Sequence, residues 1–139
     1  MQKQLTFKIN LKSTLDVNVY LQLENKCQKL FSNDEIRFVG VINNMGNLIA
    51  GGFSKCVDLI ETDEERRKLY MQMTLEISMR KDFDDTLGTI NYITTNRSNV
   101  LMITIPLHDH VILISAKHTS TVEQIGSDVC ALKFFESET

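Results

Sequence analysis

Proline is all but missing from this chain: Pro106 stands alone among 139 residues. No linker-like composition, low-complexity stretch or internal repeat interrupts the sequence, so residues 1–139 are expected to form one domain. Cysteine is scarce as well. Cys27, Cys56 and Cys130 are an odd number, widely spaced and without a CxxC pair, which argues against a disulfide framework and for buried, reduced thiols. No apolar stretch reaches the roughly 18 residues that a membrane span requires. The opening MQKQLTFKINLK alternates instead of presenting the continuous apolar core of a signal peptide, and a cytoplasmic location is the expectation. Lys/Arg-rich runs are absent too, and the net charge is -3. Nucleic acid is therefore not an expected partner, because binding a phosphate backbone calls for clustered basic side chains.

What remains is the composition of a packed protein, with 42% hydrophobic and 24% charged residues. At this length folding removes roughly two-thirds of the unfolded surface from water, so the core needs no metal or disulfide. Residues 4–11 alternate, with Leu5, Phe7, Ile9 and Leu11 on one side, as an additional strand would within an N-terminal extension over 1–12. A first helix is expected from Ser13 or Thr14 to about Phe31, its stripe formed by Leu23, Cys27, Leu30 and Phe31. Ile36–Ile42 and Leu48–Ala50 flank Asn43-Asn44-Met45-Gly46-Asn47, whose Asn and Gly residues tolerate the positive φ of a hairpin turn.

Thr62-Asp63-Glu64-Glu65 announces a second helix, reaching Lys81 or Asp82: Thr62 can cap the free N–H groups, Glu65 can bond back, and the acids suit the positive helix end. Strands are expected over Thr89–Thr95, Val100–Leu107 and Val111–Lys117, with turns at 96–99 and 108–110. A last helix opens at Ser120-Thr121-Val122-Glu123, read as a second capping box, and carries Val122, Ile125, Val129 and Leu132 on one face. The expected order is α-β-β-α-β-β-β-α: an α+β fold whose five mostly antiparallel strands are covered by helices on one or both faces.

The second helix has one apolar face too many. At about 100° per residue, Leu69, Tyr70, Met73 and Ile77 share a sector and suit a sheet. Met71, Leu75, Met79 and Phe83 share a second sector, separated from the first by polar residues that include Lys68, Gln72, Glu76 and Arg80. A helix covering a sheet in a monomer needs only one such stripe. Either another helix of the chain covers the second, or a partner does, and a symmetric dimer is the simplest closed solution.

Other residues with chemical potential read more simply. His108, His110 and His118 are weak candidates for a metal, since His108-Asp109-His110 sits at a hairpin tip, where polar residues are the default. No metal or cofactor is expected. Gly51-Gly52 lacks any Walker-type context and reads as a strand-end bulge or turn. Asp82, Asp84 and Asp85 lack EF-hand spacing. Gly126, inside the last helix, points to a close contact with a strand. No GxSxG or HExxH signature is present, so an enzyme is not expected.

The segment from Ile36 to Ala50 resembles the opening hairpin of roadblock/LC7 domains, and Val100 to Leu132 is similar to that family's last strand pair and closing helix. Longin, profilin and PAS-like domains share related architectures. The resemblance implies a homodimer or heterodimer in which helix 62–82 packs on its counterpart and strand 89–95 joins its mate. It further implies a scaffold or regulator, without catalysis, of small GTPases or of motor or membrane complexes. The alternating segment 4–11 and the Asn/Thr-rich third strand depart from the family pattern and leave the partner's identity open; a separate prokaryotic or archaeal branch is the expectation. A competing expectation is a PAS- or GAF-like small-molecule sensor, which requires a roomy pocket between sheet and helices.

Overall fold

The computed structural model describes residues 14–55 and 57–132. The alternating segment 4–11 lies outside the described residues, as does Cys56. The chain runs through α1 (Thr14–Leu30), β1 (Ile36–Ile42), β2 (Leu48–Phe53), α2 (Asp63–Arg80), a 3-10 turn (Lys81–Phe83), the short α3 (Asp84–Leu87), β3 (Ile93–Asn96), β4 (Val100–Leu107), β5 (His110–Lys117) and α4 (Val122–Leu132). The expected element order holds, with the 3-10 turn and α3 added after α2.

All strand pairs are antiparallel, in the order β2-β1-β5-β4-β3. Alternation divides the side chains between two faces. Val39, Val41, Ile103, Ile105, Ile112 and Ile114 point to one side and pack with Cys27 and Leu30 of α1 and Ile125 and Val129 of α4. Phe38, Ile42, Met102 and Leu113 point to the other side and pack with Tyr70, Leu69 and Met73 of α2. The result is three layers, with two helices on one face and α2 on the other. β5, at the centre, is buried on both faces from Val111 to Ala116, and this explains its nearly unbroken apolar run. Side chains such as Ile112 and Ile114, fully buried, each contribute about 1.5–3 kcal/mol relative to exposure.

Local chemistry sets the boundaries. Thr62 accepts from the Glu65 amide at 3.1 Å and donates its own amide to the Glu65 carboxylate at 3.0 Å, which closes the expected capping box. At α4 the cap is one residue later than expected. Thr121, not Ser120, accepts from the Gln124 amide at 3.3 Å, while the Ser120 hydroxyl is buried without a hydrogen-bond partner among the described residues. β3 is also shorter than expected, beginning at Ile93 opposite Thr104. Continued upstream, that register would set Asn91 against Pro106, which has no N–H to give the ladder.

Two glycine expectations require correction. Gly51 and Gly52 do not end the strand. They lie inside β2, paired with Gly40 and Val39. Gly51 has φ +89, and a Cβ there would fall 2.0 Å from the Val39 carbonyl oxygen, so close backbone approach is what demands the glycine. Its amide donates to the Glu24 carboxylate of α1 at 2.8 Å, pinning the helix to this border of the sheet. Gly126 is not at a close contact either: among the described residues nothing lies within 4 Å of where its Cβ would be. Gly126→Ala is therefore expected to stabilise the fold by about 0.5–1 kcal/mol, readable as a raised urea midpoint at unchanged slope.

Candidate functional site

α2 carries the chain's most unusual surface. Its inner side follows the sheet-facing stripe: Tyr70 and Ile77 are buried, and Leu69 and Met73 are partly so. The Tyr70 ring stacks on Phe38 at 6.0 Å, Thr104 donates from its hydroxyl to the Met73 sulfur at 3.2 Å, and Thr74 returns its hydroxyl to the Tyr70 carbonyl at 2.9 Å. Arg66 anchors the first turn. It lies 5.3 Å over the Phe53 ring, donates to the Glu61 carbonyl at 2.8 Å and pairs with Asp63. Burial raises the Tyr70 pKa, Arg66 opposing that effect and Glu61 adding to it.

The outer stripe is uncovered by any element of the described chain. Met71 is 42% exposed, Leu75 53%, Met79 69% and Phe83 60%. The apolar surface also continues beyond the expected residues. Leu87, in α3, is 77% exposed, and the β1–β2 turn, which approaches Met71 through Gly46, has exposed Met45 in it and exposed Leu48 just after it. A Cβ on Gly46 would sit 3.0 Å from the Met71 methyl, and one on Gly40 would sit 2.6 Å from Leu48, placing Leu48 on the α2 side of the sheet. Met45 and Leu48 are far from the helix in sequence, and Leu87 lies in α3 beyond its end, so periodicity within α2 does not include them.

The remaining candidates are dispersed. His108 lies in the two-residue turn 108–109 with φ 56 and His110 opens β5, while His118 follows the opposite end of that eight-residue strand. Among the described residues no three His, Cys, Asp or Glu side chains converge as metal ligands. His110 Nδ1 lies 3.1 Å from the Asp109 carboxylate, but burial outweighs that contact and lowers the His110 pKa below its usual 6.5. A ring held neutral in the folded state and free to protonate when unfolded makes stability fall as pH drops below 6.5 toward the lower folded value. Urea midpoints at pH 7.5 and 5.5 are expected to show this loss, and to show less of it in His110→Gln.

Cys27 is fully buried, and desolvation, helped by Glu24, pushes its thiol up to about 12, which leaves it unreactive at neutral pH. The side chain of Cys130 lies outside those described. Asp82 and Asp85 are exposed, and Asp84 is partly buried, with Oδ1 unbonded among the described residues. Between α2 and the sheet, a gap lined by Phe38, Phe53, Glu61, Tyr70 and Ser115 measures about 10 Å³, room for about one water. No helix among the described residues is long and apolar enough to cross a membrane.

Solved structures sharing this fold include the gliding protein mglB of Thermus thermophilus, with a TM-score of 0.68 at 9% identity over 84% of this chain and 87% of that one. A roadblock/LC7 domain of Streptomyces avermitilis gives 0.60 at 7% identity over 78% and 89% of the two chains. MglC of Myxococcus xanthus gives 0.52 at 10% identity over 80% and 92%. At such identities the likeness is one of fold, and the fold is the roadblock/LC7 architecture expected from the hairpin and the closing elements. A family of unknown function (DUF6659) matches residues 15–133. No curated protein matches the chain.

Proposed function

Because the chain belongs to the family of unknown function DUF6659 and has the roadblock/LC7 fold, we propose that it is a non-enzymatic interaction module that pairs with a second copy of itself across the outer face of α2. The observation that carries this reading is the stripe Met71, Leu75, Met79 and Phe83, four large apolar side chains along α2 and the 3-10 turn that extends it, with 42–69% of their surface in water. Exposed patches of this kind mark association sites. A standard interface takes about 800 Å² from each partner, more than four side chains supply. Exposed Leu87, four residues after Phe83, and exposed Met45 and Leu48, at the turn whose Gly46 approaches Met71, add apolar surface near the two ends.

The paired module serves as a scaffold or regulator, and the roadblock resemblance favours a small GTPase as its client. The one-water gap beneath α2 gives no support to a small-molecule sensor, because drug-sized ligands fill pockets of about 300 Å³ or more. Light scattering on the purified chain tests the pairing: a dimer at micromolar concentration is expected, and a monomer would overturn the proposal. The client is tested separately, by whether the dimer changes the GTP hydrolysis rate of a purified small GTPase from the same organism.

A further inference from the structure

α1 has an apolar flank that no described residue covers. Leu23, Cys27 and Leu30 form its inner stripe and pack on the sheet. At about 100° per residue, Val17, Tyr20 and Leu21 all fall to one side of that stripe. They keep 46–53% of their surface in water. The other flank is polar, with Asn18, Gln22 and Lys29. Glu24 shows where the apolar flank lies. It falls between Tyr20 and Val17 on the wheel, and its carboxylate accepts from the Gly51 amide of β2, the border strand. The flank therefore overhangs the β2 border, on the face of the sheet opposite α2.

Pattern, tether and dimensions together select what covers it. Segment 4–11 sets Leu5, Phe7, Ile9 and Leu11 on one side and Thr6, Lys8 and Asn10 on the other, a pattern that calls for apolar surface on one side only. Lys12 and Ser13 alone separate it from α1, which begins at Thr14. So short a tether holds the segment beside the helix at an effective concentration of about millimolar, which favours it over any free protein. Alternate residues of an extended chain are about 6.6–6.8 Å apart, and residues four apart on a helix rise by about 6 Å. A segment doubling back through Lys12 and Ser13 would thus set Leu11 beside Val17 and Ile9 beside Leu21. Lys8 would then face water, a charge that discourages another strand from adding there.

We propose that segment 4–11 folds back as an extended clip on the Val17, Tyr20 and Leu21 flank of its own α1. The clip meets the helix and not the β2 ladder, which Gly51 and Glu24 already interrupt. With this flank closed, the outer face of α2 is left as the apolar surface open to association. The proposal does not depend on the pairing of α2.

The test uses the full chain carrying Ile9→Cys with Leu21→Cys, oxidised at low protein concentration. Non-reducing electrophoresis and mass spectrometry of the peptides then identify which cysteines are joined. A link within one chain is expected, at a yield on the order of tenfold above Ile9→Cys with Gln22→Cys, whose side chain points away at the same height. A link between two chains would assign the flank to a second copy's segment. Equal yields at the two helix positions would leave the flank without this occupant. Either result overturns the proposal.

A second readout needs no new thiols. Phe7→Asp with Ile9→Asp is expected to speed amide exchange over residues 18–24 on the order of tenfold, and Leu21→Asp to do the same. Combining all three is expected to add nothing further, because both changes break one shared contact. Unchanged exchange in the Phe7→Asp, Ile9→Asp chain would also overturn the clip. Neither readout requires a dimer, so a monomeric chain would remove the α2 reading and leave this one standing.

Discussion

Leu75→Asp combined with Met79→Asp is expected to convert a dimer into a folded monomer. Both side chains are more than half exposed in the single chain, so aspartate there costs the monomer's fold little. In a closed α2–α2 interface the same change buries four carboxylates, two from each copy, against apolar surface with no partner charge. Desolvating an unpaired charge costs several kcal/mol. A loss of at least about 4 kcal/mol raises the dissociation constant about a thousandfold and puts it beyond micromolar concentrations. Light scattering would show half the mass, with the far-ultraviolet circular dichroism retained. A double variant that remained dimeric would move the interface off this face.

The second large effect lies in the sheet. Gly51→Ala is expected to destabilise the fold by about 3 kcal/mol or more, enough to leave much of the chain insoluble on expression. Two costs add. A residue with a Cβ at φ +89 leaves its allowed backbone region, at about 1–2 kcal/mol. The new carbon would also fall 2.0 Å from the Val39 carbonyl oxygen, so β1 and β2 must separate and the Gly51–Glu24 bond must lengthen. Denaturant unfolding read against Glu24→Gln divides these contributions, since that variant loses charge on the bond without touching the backbone. A Gly51→Ala protein as stable as the parent would show that the close approach can relax freely.

The contrast between Gly51 and Gly126 shows where the sequence was legible and where it was not. Periodicity and capping chemistry are local, so β1, β4, the capping box of Thr62 and Glu65 and the two stripes of α2 could all be read directly. A glycine's role depends on what stands opposite it. Gly51 faces the carbonyl of Val39, a partner set by strand pairing, whereas no described residue stands within 4 Å of where a Cβ on Gly126 would be. The late start of β3 has the same origin, because Pro106 acts across the ladder from a neighbouring strand. The four-residue core of the candidate surface was visible because α2 and the 3-10 turn that continues it carry it. Its extension through Met45 and Leu48 was not, because only the fold brings the hairpin turn, through Gly46, to Met71 of that helix.

The hydrogen bond from the Gly51 amide to Glu24 has a consequence for how far assembly can proceed. A five-stranded sheet has two borders, and a chain that recruited strands at both would polymerise without limit. At the β2 border an outward amide is already occupied by Glu24, and the positive φ of Gly51 bends the backbone out of the regular geometry that an incoming strand would need. At the β3 border no side chain engages the backbone of Ile93–Asn96 among the described residues. Strand addition at the β2 border is thereby disfavoured, and a chain that added strands at the β3 border alone, about a two-fold axis, would end at two copies. Glu24, remote from the helix face where the proposed copies meet, thus favours a closed pair over a filament.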